Sequence, residues 1–294
     1  MYFLQSLKPG AILLLQFAFW TTPSVAFPAP SRNITYSNFT LADQDVPLRI
    51  LPLGNSITFG YLSTDGNGYR NELLTKLTSN GTEAQYLGSV RAGNMTDNYN
   101  EGHPGATIDQ IANFSRASLP MRPNLILLMA GTNDMVQNLS IGAPERLASL
   151  VDMCIAACPD AVILLAQLTP SATTDVESRI ETFNPEVVAL ANSRASNGAK
   201  IAAIDMPAYV SVDDLKDGLH PNDYGYSKMA EAWYGGIQDA VDNGWLTTPA
   251  ANTVVGVMRN ITTPVVLSSD SSRGRPTFVI LHSLVWLAVA ALLL

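Results

Sequence analysis

The sequence predicts a three-layer α/β/α sandwich, in which helices cover both faces of a five-stranded parallel sheet. Five short and nearly continuous apolar runs recur along the chain, as expected of strands that are buried on both faces. Segments with helical periodicity separate these runs, and a last helical pattern follows the fifth. Strands that alternate with helices form right-handed βαβ units, and such units build a parallel sheet.

The predicted elements follow one another without an internal repeat. The strands are expected at residues 49–54, 84–90, 124–130, 161–168 and 200–205. The helices are expected at residues 68–77, 107–117, 143–157, 176–197 and 224–243. A long polar loop is predicted after the second strand, up to residue 105.

The segments on either side of residues 48–246 are expected to lie outside this domain. Residues 1–26 combine a basic residue, an apolar run and a small-x-small pattern, which together are typical of a secretory signal peptide. Residues 27–47, rich in Pro, Ser, Thr and Asn, are predicted to be a glycosylated leader, and residues 247–272 a stalk rich in Ser and Thr.

Residues 273–294 are predicted to signal the attachment of a glycosylphosphatidylinositol (GPI) anchor. Serines within 268–272 precede a short polar spacer and an apolar segment that Lys or Arg does not follow, as in GPI signals. The alternative is a C-terminal membrane helix. Residues 277–294 would then cover about 27 Å at about 1.5 Å per residue, barely the thickness of a hydrocarbon core.

The charge of the chain argues against nucleic acid as a partner. All 25 acidic residues but only 14 of the 17 basic residues lie between Phe27 and Asp270, so this part has a net charge of −11. Such a surface repels polyanions and offers no basic patch to anionic lipid.

We expect a monomer that is secreted to the extracellular face of the plasma membrane or to the cell wall. Seven sequons also predict a glycoprotein: Asn33, Asn38, Asn80, Asn94, Asn113, Asn138 and Asn260.

Two cysteines, Cys154 and Cys158, lie four residues apart at the end of a predicted helix. One helical turn would bring their Cα atoms to about 6 Å, within the range of a disulfide, and the secretory route permits pairing. The sequence leaves a disulfide and two free thiols both open. A metal site is not expected, because two thiols without a nearby histidine fall short of a zinc ligand set.

The candidate nucleophile is Ser56, which follows the first predicted strand. Gly54 would permit a sharp turn that lifts the serine hydroxyl out of the end of this strand. Ligands bind at this carboxyl end of the strands in open parallel sheets. The alternative is that Ser56 merely caps the following helix.

Only two histidines could activate this serine. A positioned base contributes about 10²–10⁴ in rate, and the third histidine, His282, lies in the predicted anchor signal. His220 lies in the loop before the last helix, where Asp217, three residues earlier, could orient its Nδ1. The alternative for this loop is a turn with a helix cap. His103 is expected to contact substrate or to hold its own loop.

Two further loops at the same edge could stabilise an oxyanion. The side-chain amide of Asn133, after the third strand, could donate to it, a contribution of roughly 10²–10³ in rate. Here too the alternative is a helix cap. The N–H of Gly105, at a helix start, could be another donor. Four weak signals thus follow four different strands, and their coincidence predicts an active site.

These loops resemble those of the SGNH (GDSL-type) hydrolase superfamily, and most closely those of carbohydrate esterase family 3, the acetylxylan esterase-like enzymes. The matching stretches are LPLGNSIT from Leu51, GYR from Gly68, EGHPG from Glu101, GTND from Gly131 and DGLHPNDYGY from Asp217. The resemblance implies the SGNH hydrolase fold, with a five-stranded parallel sheet between helices.

The resemblance also implies roles for individual residues. The catalytic residues would be Ser56, Asp217 and His220, and the oxyanion hole would comprise the Ser56 N–H, Gly105 and Asn133. Candidate substrate-binding residues in the matching loops are Asn55, Arg70, His103 and Asp134. One departure is Asn55, which stands where the family usually has aspartate and removes a negative charge beside the nucleophile.

We therefore predict a serine esterase that removes short acyl groups, above all acetyl, from carbohydrate through an acyl-enzyme and without a cofactor. Its partner would be an acetylated carbohydrate or another small ester. The polar loop 91–105 does not resemble the apolar lid of an enzyme for long acyl chains. The alternatives are a lipase or lysophospholipase of the same superfamily, and a catalytically weak wall-binding homologue. A metal-dependent deacetylase is disfavoured, because too few histidines remain to ligate a metal.

Overall fold

The computed structural model describes residues 46–79 and 81–251, which form a twisted sheet between two layers of helices. The strands are β1 (Leu48–Gly54), β2 (Ala84–Tyr86), β3 (Val90–Arg91), β4 (Tyr99–Gly102), β5 (Leu125–Met129), β6 (Val162–Ala166) and β7 (Ile201–Ile204). The helices are α1 (Ser56–Phe59), α2 (Arg70–Ser79), α3 (Ile108–Ser118), α4 (Thr132–Val136), α5 (Ala143–Ala157), α6 (Thr174–Ser196) and α7 (Asp223–Asp242).

The sheet is parallel except at one edge. β5, β6 and β7 follow β1 on one side, each parallel to its neighbour. On the other side, β2 pairs with the beginning of β1 and β4 with its last two residues, both in parallel. β3 is antiparallel to β4. The predicted fold class is therefore confirmed, although the sheet has seven strands in the described residues rather than five.

The difference lies in the segment 84–102, where the sequence predicted one strand and then a loop. The strand ends after Tyr86, and glycine is required at Gly88, because φ there is +147° and a Cβ would overlap the backbone of Asn100. β4 has a polar sequence that does not read as a strand, yet Asn100 and Glu101 are fully buried. Hydrogen bonds from Ser89 to the Glu101 carboxylate allow this polar strand to lie in the core.

The core is built from the apolar strands and the helices packed on them. β5 and β6 are buried along their whole length. Helices α2 and α7 pack together, and Trp233 of α7 is completely buried. Helices α3, α5 and α6 pack next to one another. Both helix layers cover apolar strand faces, as expected when burial of apolar area drives folding.

The chain enters and leaves the domain at the amino edge of the sheet. The side chain of Asn124, just before β5, donates to the carbonyl of Pro47 at 3.0 Å and to that of Thr247 at 2.8 Å. It also accepts from the Arg49 N–H at 2.8 Å. Asn124 thus joins both ends of the domain at the edge opposite to that of Ser56.

Four predicted regions lie outside the described residues: the signal peptide, most of the leader, most of the stalk and the anchor signal. The sequons Asn33, Asn38, Asn80 and Asn260 lie outside them as well, whereas Asn94, Asn113 and Asn138 are exposed. Among the helices within residues 46–79 and 81–251, none is both long and apolar enough to cross a bilayer.

Cys154 and Cys158 are free thiols rather than a disulfide, and both are buried. The Cys158 thiol donates to the Leu119 carbonyl at 3.4 Å. Burial, with a smaller effect of the neighbouring Cys158, raises the pKa of the Cys154 thiol to about 12. Both thiols should therefore be unreactive in the folded protein.

We expect Cys154 and Cys158 to resist iodoacetamide in the folded protein, because burial keeps them protonated and inaccessible. Mass spectrometry should find no alkylation before denaturation and two alkylated cysteines after denaturation without a reductant. A protein that needs reductant before it can be alkylated would contain the disulfide and contradict the structure.

Candidate active site

Ser56 lies at the first position of α1, directly after β1. The turn requires Gly54, because a Cβ there would overlap both the Thr58 hydroxyl and the Met129 carbonyl. Asn55 is the residue that caps α1, since its Oδ1 accepts from the Ile57 N–H at 3.1 Å. The helix cap considered for Ser56 is therefore supplied by Asn55, and the serine hydroxyl is available for another partner.

That partner is His220. The Ser56 Oγ lies 2.9 Å from His220 Nε2, and His220 Nδ1 lies 2.8 Å from Asp217 Oδ2. With the proton on Nδ1, the imidazole donates to the carboxylate and accepts the serine hydroxyl proton at Nε2. The structure thus brings the three predicted catalytic residues into one hydrogen-bonded chain.

Asp217 is held as a carboxylate by the backbone of its own loop. Its Oδ1 accepts from the N–H of His220 at 2.8 Å and of Leu219 at 3.0 Å. Burial acts to raise the pKa of Asp217, but these hydrogen bonds and the one from the His220 side chain outweigh it and lower that pKa below its usual value. The carboxylate is therefore charged when it orients the imidazole.

The loop that carries this pair is a structured turn. Gly218 has a φ of +83°, and its carbonyl accepts from the Ala172 N–H at 2.8 Å. Leu215 and Pro221 form an antiparallel bridge across the turn. The helix cap expected here is Asn222, whose side chain accepts from the Gly225 N–H at the start of α7. One loop therefore contains the turn, the helix cap and the hydrogen-bonded pair of Asp217 and His220.

The oxyanion candidates come from the loops that flank Ser56. The His103 N–H donates to the Gly54 carbonyl at 3.1 Å, which fixes the turn containing Gly105 beside the end of β1. Gly105 is exposed with a φ of +80°, and within the described residues its N–H and that of Ser56 have no acceptor. The Asn133 amide donates to the Ala106 carbonyl at 2.9 Å and retains a second hydrogen.

Asn133→Ala is expected to lower kcat by about 10²-fold, with a small effect on KM, because an oxyanion donor acts mainly in the transition state. The measurement is steady-state hydrolysis of p-nitrophenyl acetate. The matched control is Gln137→Ala, an exposed side chain at the end of the same short helix. A loss below threefold in Asn133→Ala, or an equal loss in the control, would remove Asn133 from the oxyanion hole.

His103 pairs with a buried carboxylate rather than standing free in its loop. Its Nε2 lies 2.6 Å from Oε1 of the fully buried Glu101, and its ring stacks on Phe114 at 3.7 Å. The same carboxylate accepts from Ser89 and from the Ser118 hydroxyl. His103 was expected either to contact substrate or to hold its own loop, and these contacts match the second expectation.

Three other candidate substrate contacts are buried and require correction. The Arg70 guanidinium is fully buried and donates to four backbone carbonyls, those of Phe59, Gly66, Ala92 and Asn98. Asp134 is also fully buried, and it accepts from the Ile108 N–H and from Arg146, both at 2.9 Å. Asn55, likewise buried, caps α1. These side chains hold the loops of the site and have no exposed surface that a substrate could contact.

Tyr61 belongs to the site but was missed in the sequence. Its ring centroid lies 4.9 Å from that of His220, with an angle of 66° between the ring planes. A single tyrosine after a predicted strand and turn carries no periodic or motif signal that would single it out. Within the described residues, no group of three His, Cys, Asp or Glu side chains could hold a metal ion.

Comparison with known proteins relates this geometry to esterases. A family model described as the GDSL-like lipase/acylhydrolase family matches residues 53–228, a range that includes Ser56, Asp217 and His220. A multidomain esterase of Ruminococcus flavefaciens is 28% identical over 216 residues. The match covers 63% of this chain but only 28% of that protein, so the chain spans little more than a quarter of this relative.

Solved structures support the same fold. A family 3 carbohydrate esterase of Clostridium thermocellum superposes with a TM-score of 0.60 and 27% identity, covering 68% of this chain and 100% of the other. A family 3 carbohydrate esterase of Talaromyces cellulolyticus gives a TM-score of 0.59 at 20% identity, covering 67% and 99%. At the lower identity, the likeness concerns the fold alone.

Proposed function

This chain belongs to the GDSL-like lipase/acylhydrolase family, and from that premise we propose that it is a carboxylic ester hydrolase in which Ser56, His220 and Asp217 act as a catalytic triad. The observation that carries the proposal is the continuous chain of hydrogen bonds from Ser56 Oγ through the imidazole to Asp217 Oδ2. A serine that only shaped the turn would not need a histidine held by a carboxylate at its hydroxyl.

Acylation would begin when Ser56 Oγ attacks the ester carbonyl carbon and His220 Nε2 takes the hydroxyl proton. The carbonyl π electrons move to the oxygen, which the N–H groups of Ser56 and Gly105 and the Asn133 amide would stabilise. When the tetrahedral intermediate collapses, the C–O bond to the alcohol breaks, and the imidazolium gives its proton to the leaving oxygen. An acyl-enzyme on Ser56 and a free alcohol result.

Deacylation would repeat these steps with water. His220 takes a proton from water, and the resulting hydroxide attacks the acyl carbonyl. The second intermediate collapses with cleavage of the bond to Ser56 Oγ, which recovers its proton from the imidazolium. Asp217 keeps its charge throughout and stabilises the transient imidazolium. The products are the carboxylic acid and the original enzyme, and the steps need no cofactor.

The acyl group is proposed to be short and the alcohol to be a carbohydrate. The likeness to the Clostridium thermocellum carbohydrate esterase, which this chain covers completely, supports a sugar substrate. The segment 91–105 supports a short acyl group, because it is fixed by Arg70 and by β4 pairing beside the site. It would therefore not fold over a long chain as an apolar lid.

A lipase or lysophospholipase is the second candidate function, and one observation favours it. The segment after the proposed oxyanion residue Asn133 exposes three apolar side chains, Val136 by 42%, Leu139 by 45% and Ile141 by 94%. Exposed apolar residues beside an active site can contact acyl chains or lipid surfaces. The acyl-chain preference of the enzyme separates the two functions.

The test is hydrolysis of p-nitrophenyl esters from acetate to palmitate, together with acetate release from acetylated xylo-oligosaccharides. We expect acetate and acetylated oligosaccharides to be cleaved and palmitate to be a poor substrate. A preference for palmitate would establish the lipase alternative. A protein that is inactive on all of these esters but binds the polysaccharide would be the wall-binding homologue.

We also propose that the protein is secreted and tethered at the cell surface by a GPI anchor. The sequence features at the two ends support this, and both ends of the domain lie at the edge opposite to Ser56. A tether there would leave the active site accessible. Phosphatidylinositol-specific phospholipase C should release the protein from intact cells, whereas a protein with a membrane helix would stay bound.

A further inference from the structure

The loop between α1 and α2, residues 60–69, holds an exposed aromatic ring against the proposed catalytic base. Tyr61 remains 46% exposed although its ring contacts His220. If the ring served only to support the imidazole, its complete burial would stabilise the fold most. The open part of the Tyr61 ring is therefore available to a molecule that reaches Ser56.

The backbone of this loop fixes the position of Tyr61. Its N–H donates to the Ser56 carbonyl at 2.9 Å, and its own carbonyl accepts from the Tyr226 hydroxyl at 2.7 Å. The next residue, Leu62, adopts a φ of +67°, which is unfavourable for a leucine. Such strain persists only where the surrounding structure determines the conformation, so Tyr61 has a defined place beside the nucleophile.

Arg70, at the start of α2, stabilises the loop through hydrogen bonds to backbone carbonyls. Its buried guanidinium donates to the carbonyl of Phe59, just before the loop, at 2.9 Å and to that of Gly66, within the loop, at 3.2 Å. Gly60 has a φ of +91°, and a Cβ there would approach the backbone of Gly66 and Gly68 within 2.6 Å. The start of the loop thus packs closely against its later residues. Because this backbone is fixed, Tyr61 loses little further conformational freedom when a ligand covers it.

A fixed and half-exposed aromatic ring suits a sugar ring. A pyranose presents C–H groups on its faces and hydroxyl groups around its edge, so that an aromatic ring can cover a face without burying the hydroxyl groups. Tyrosine adds a phenolic hydroxyl that can donate or accept a hydrogen bond. An acetate ester without a sugar has no pyranose ring to place on this surface.

We propose that Tyr61 determines specificity by stacking on the sugar ring that carries the ester, or on its neighbour in the chain, so that the acyl group lies at Ser56. This inference rests on the proposed esterase function. It names the sugar as the part of the substrate that the site recognises, and it predicts that loss of the ring affects substrates with and without a sugar unequally.

The experiment compares Tyr61→Leu and Tyr61→Trp with the wild type on acetylated xylo-oligosaccharides and on p-nitrophenyl acetate. Tyr61→Leu should raise KM for the oligosaccharides by about tenfold, and it should lower kcat/KM for the oligosaccharides by about tenfold more than kcat/KM for p-nitrophenyl acetate. Tyr61→Trp, which keeps an aromatic face, should retain most of the oligosaccharide activity. The matched control is Tyr224→Leu, which removes an exposed tyrosine that packs on Lys228 instead of His220.

The other possible outcomes would contradict different parts of the proposal. An equal loss on both substrates in Tyr61→Leu would make Tyr61 a support of His220 and overturn the proposal. An unchanged KM for the oligosaccharides would overturn it as well. A wild type that cleaves p-nitrophenyl acetate but not acetylated oligosaccharides would contradict the sugar substrate, and a wild type inactive on both would contradict the esterase function itself.

Discussion

Ser56→Ala is expected to lower kcat for p-nitrophenyl acetate by about 10⁴- to 10⁶-fold, the range seen when a nucleophilic serine is removed from a triad. The substitution deletes only the hydroxyl that lies 2.9 Å from His220 Nε2. Asn55 caps α1 and Gly54 forms the turn, so the local fold does not depend on this hydroxyl. The measurement is steady-state kinetics combined with thermal unfolding.

The control for this prediction is Ser149→Ala, on the exposed face of α5, where the hydroxyl bonds only to the Glu145 carbonyl. It should leave kcat within about twofold, as surface changes usually have small effects. If Ser56→Ala unfolds at the same temperature as the wild type but keeps more than about a tenth of its activity, Ser56 is not the nucleophile.

His220→Ala is expected to have an effect of similar size, about 10⁴-fold or more in kcat. Of the described residues, His220 alone places an imidazole nitrogen within hydrogen-bonding distance of the Ser56 hydroxyl, whereas His103 is engaged by Glu101. If Ser56 and His220 act as one unit, as a nucleophile and its base do in a triad, the double variant should be no slower than either single variant.

The matched control for His220→Ala is His103→Ala. Its imidazole holds a loop through Glu101 and Phe114, so its loss should act on stability and only modestly on kcat. Losses that multiply in the Ser56→Ala/His220→Ala double variant would indicate that the two residues act independently. A larger loss of kcat in His103→Ala than in His220→Ala would reverse the assignment of the base.

Much of the fold could be predicted because apolar runs and helical periodicity directly reflect burial. β5 and β6 are continuous apolar segments, and helix α5 has the bounds that the sequence indicated. The meeting of Ser56 with His220 could be predicted from topology, because the carboxyl ends of parallel strands share one edge. The resemblance to the GDSL-type family is confirmed by the family model.

The errors concern polar residues whose partners lie far away in the sequence. β4 can lie in the core because Ser89 and Ser118 donate hydrogen bonds to the buried carboxylate of Glu101, a pairing that no local pattern reveals. Arg70 and Asp134 were candidate substrate contacts because they lie in the loops that match the family, yet both are buried, which is rare for charged residues. In the interior, backbone carbonyls accept hydrogen bonds from Arg70, and Arg146 donates to Asp134. Only the folded chain shows such pairing.

In the proposed mechanism, His220 activates Ser56 as the nucleophile. The most direct test is to incubate the wild type, Ser56→Ala and His220→Ala with a fluorophosphonate and to locate the adduct by peptide mass spectrometry. We predict one phosphonylated residue, Ser56, in the wild type, no adduct in Ser56→Ala and very slow labelling in His220→Ala. An active wild-type enzyme that is labelled at another residue, or is not labelled at all, would contradict the account.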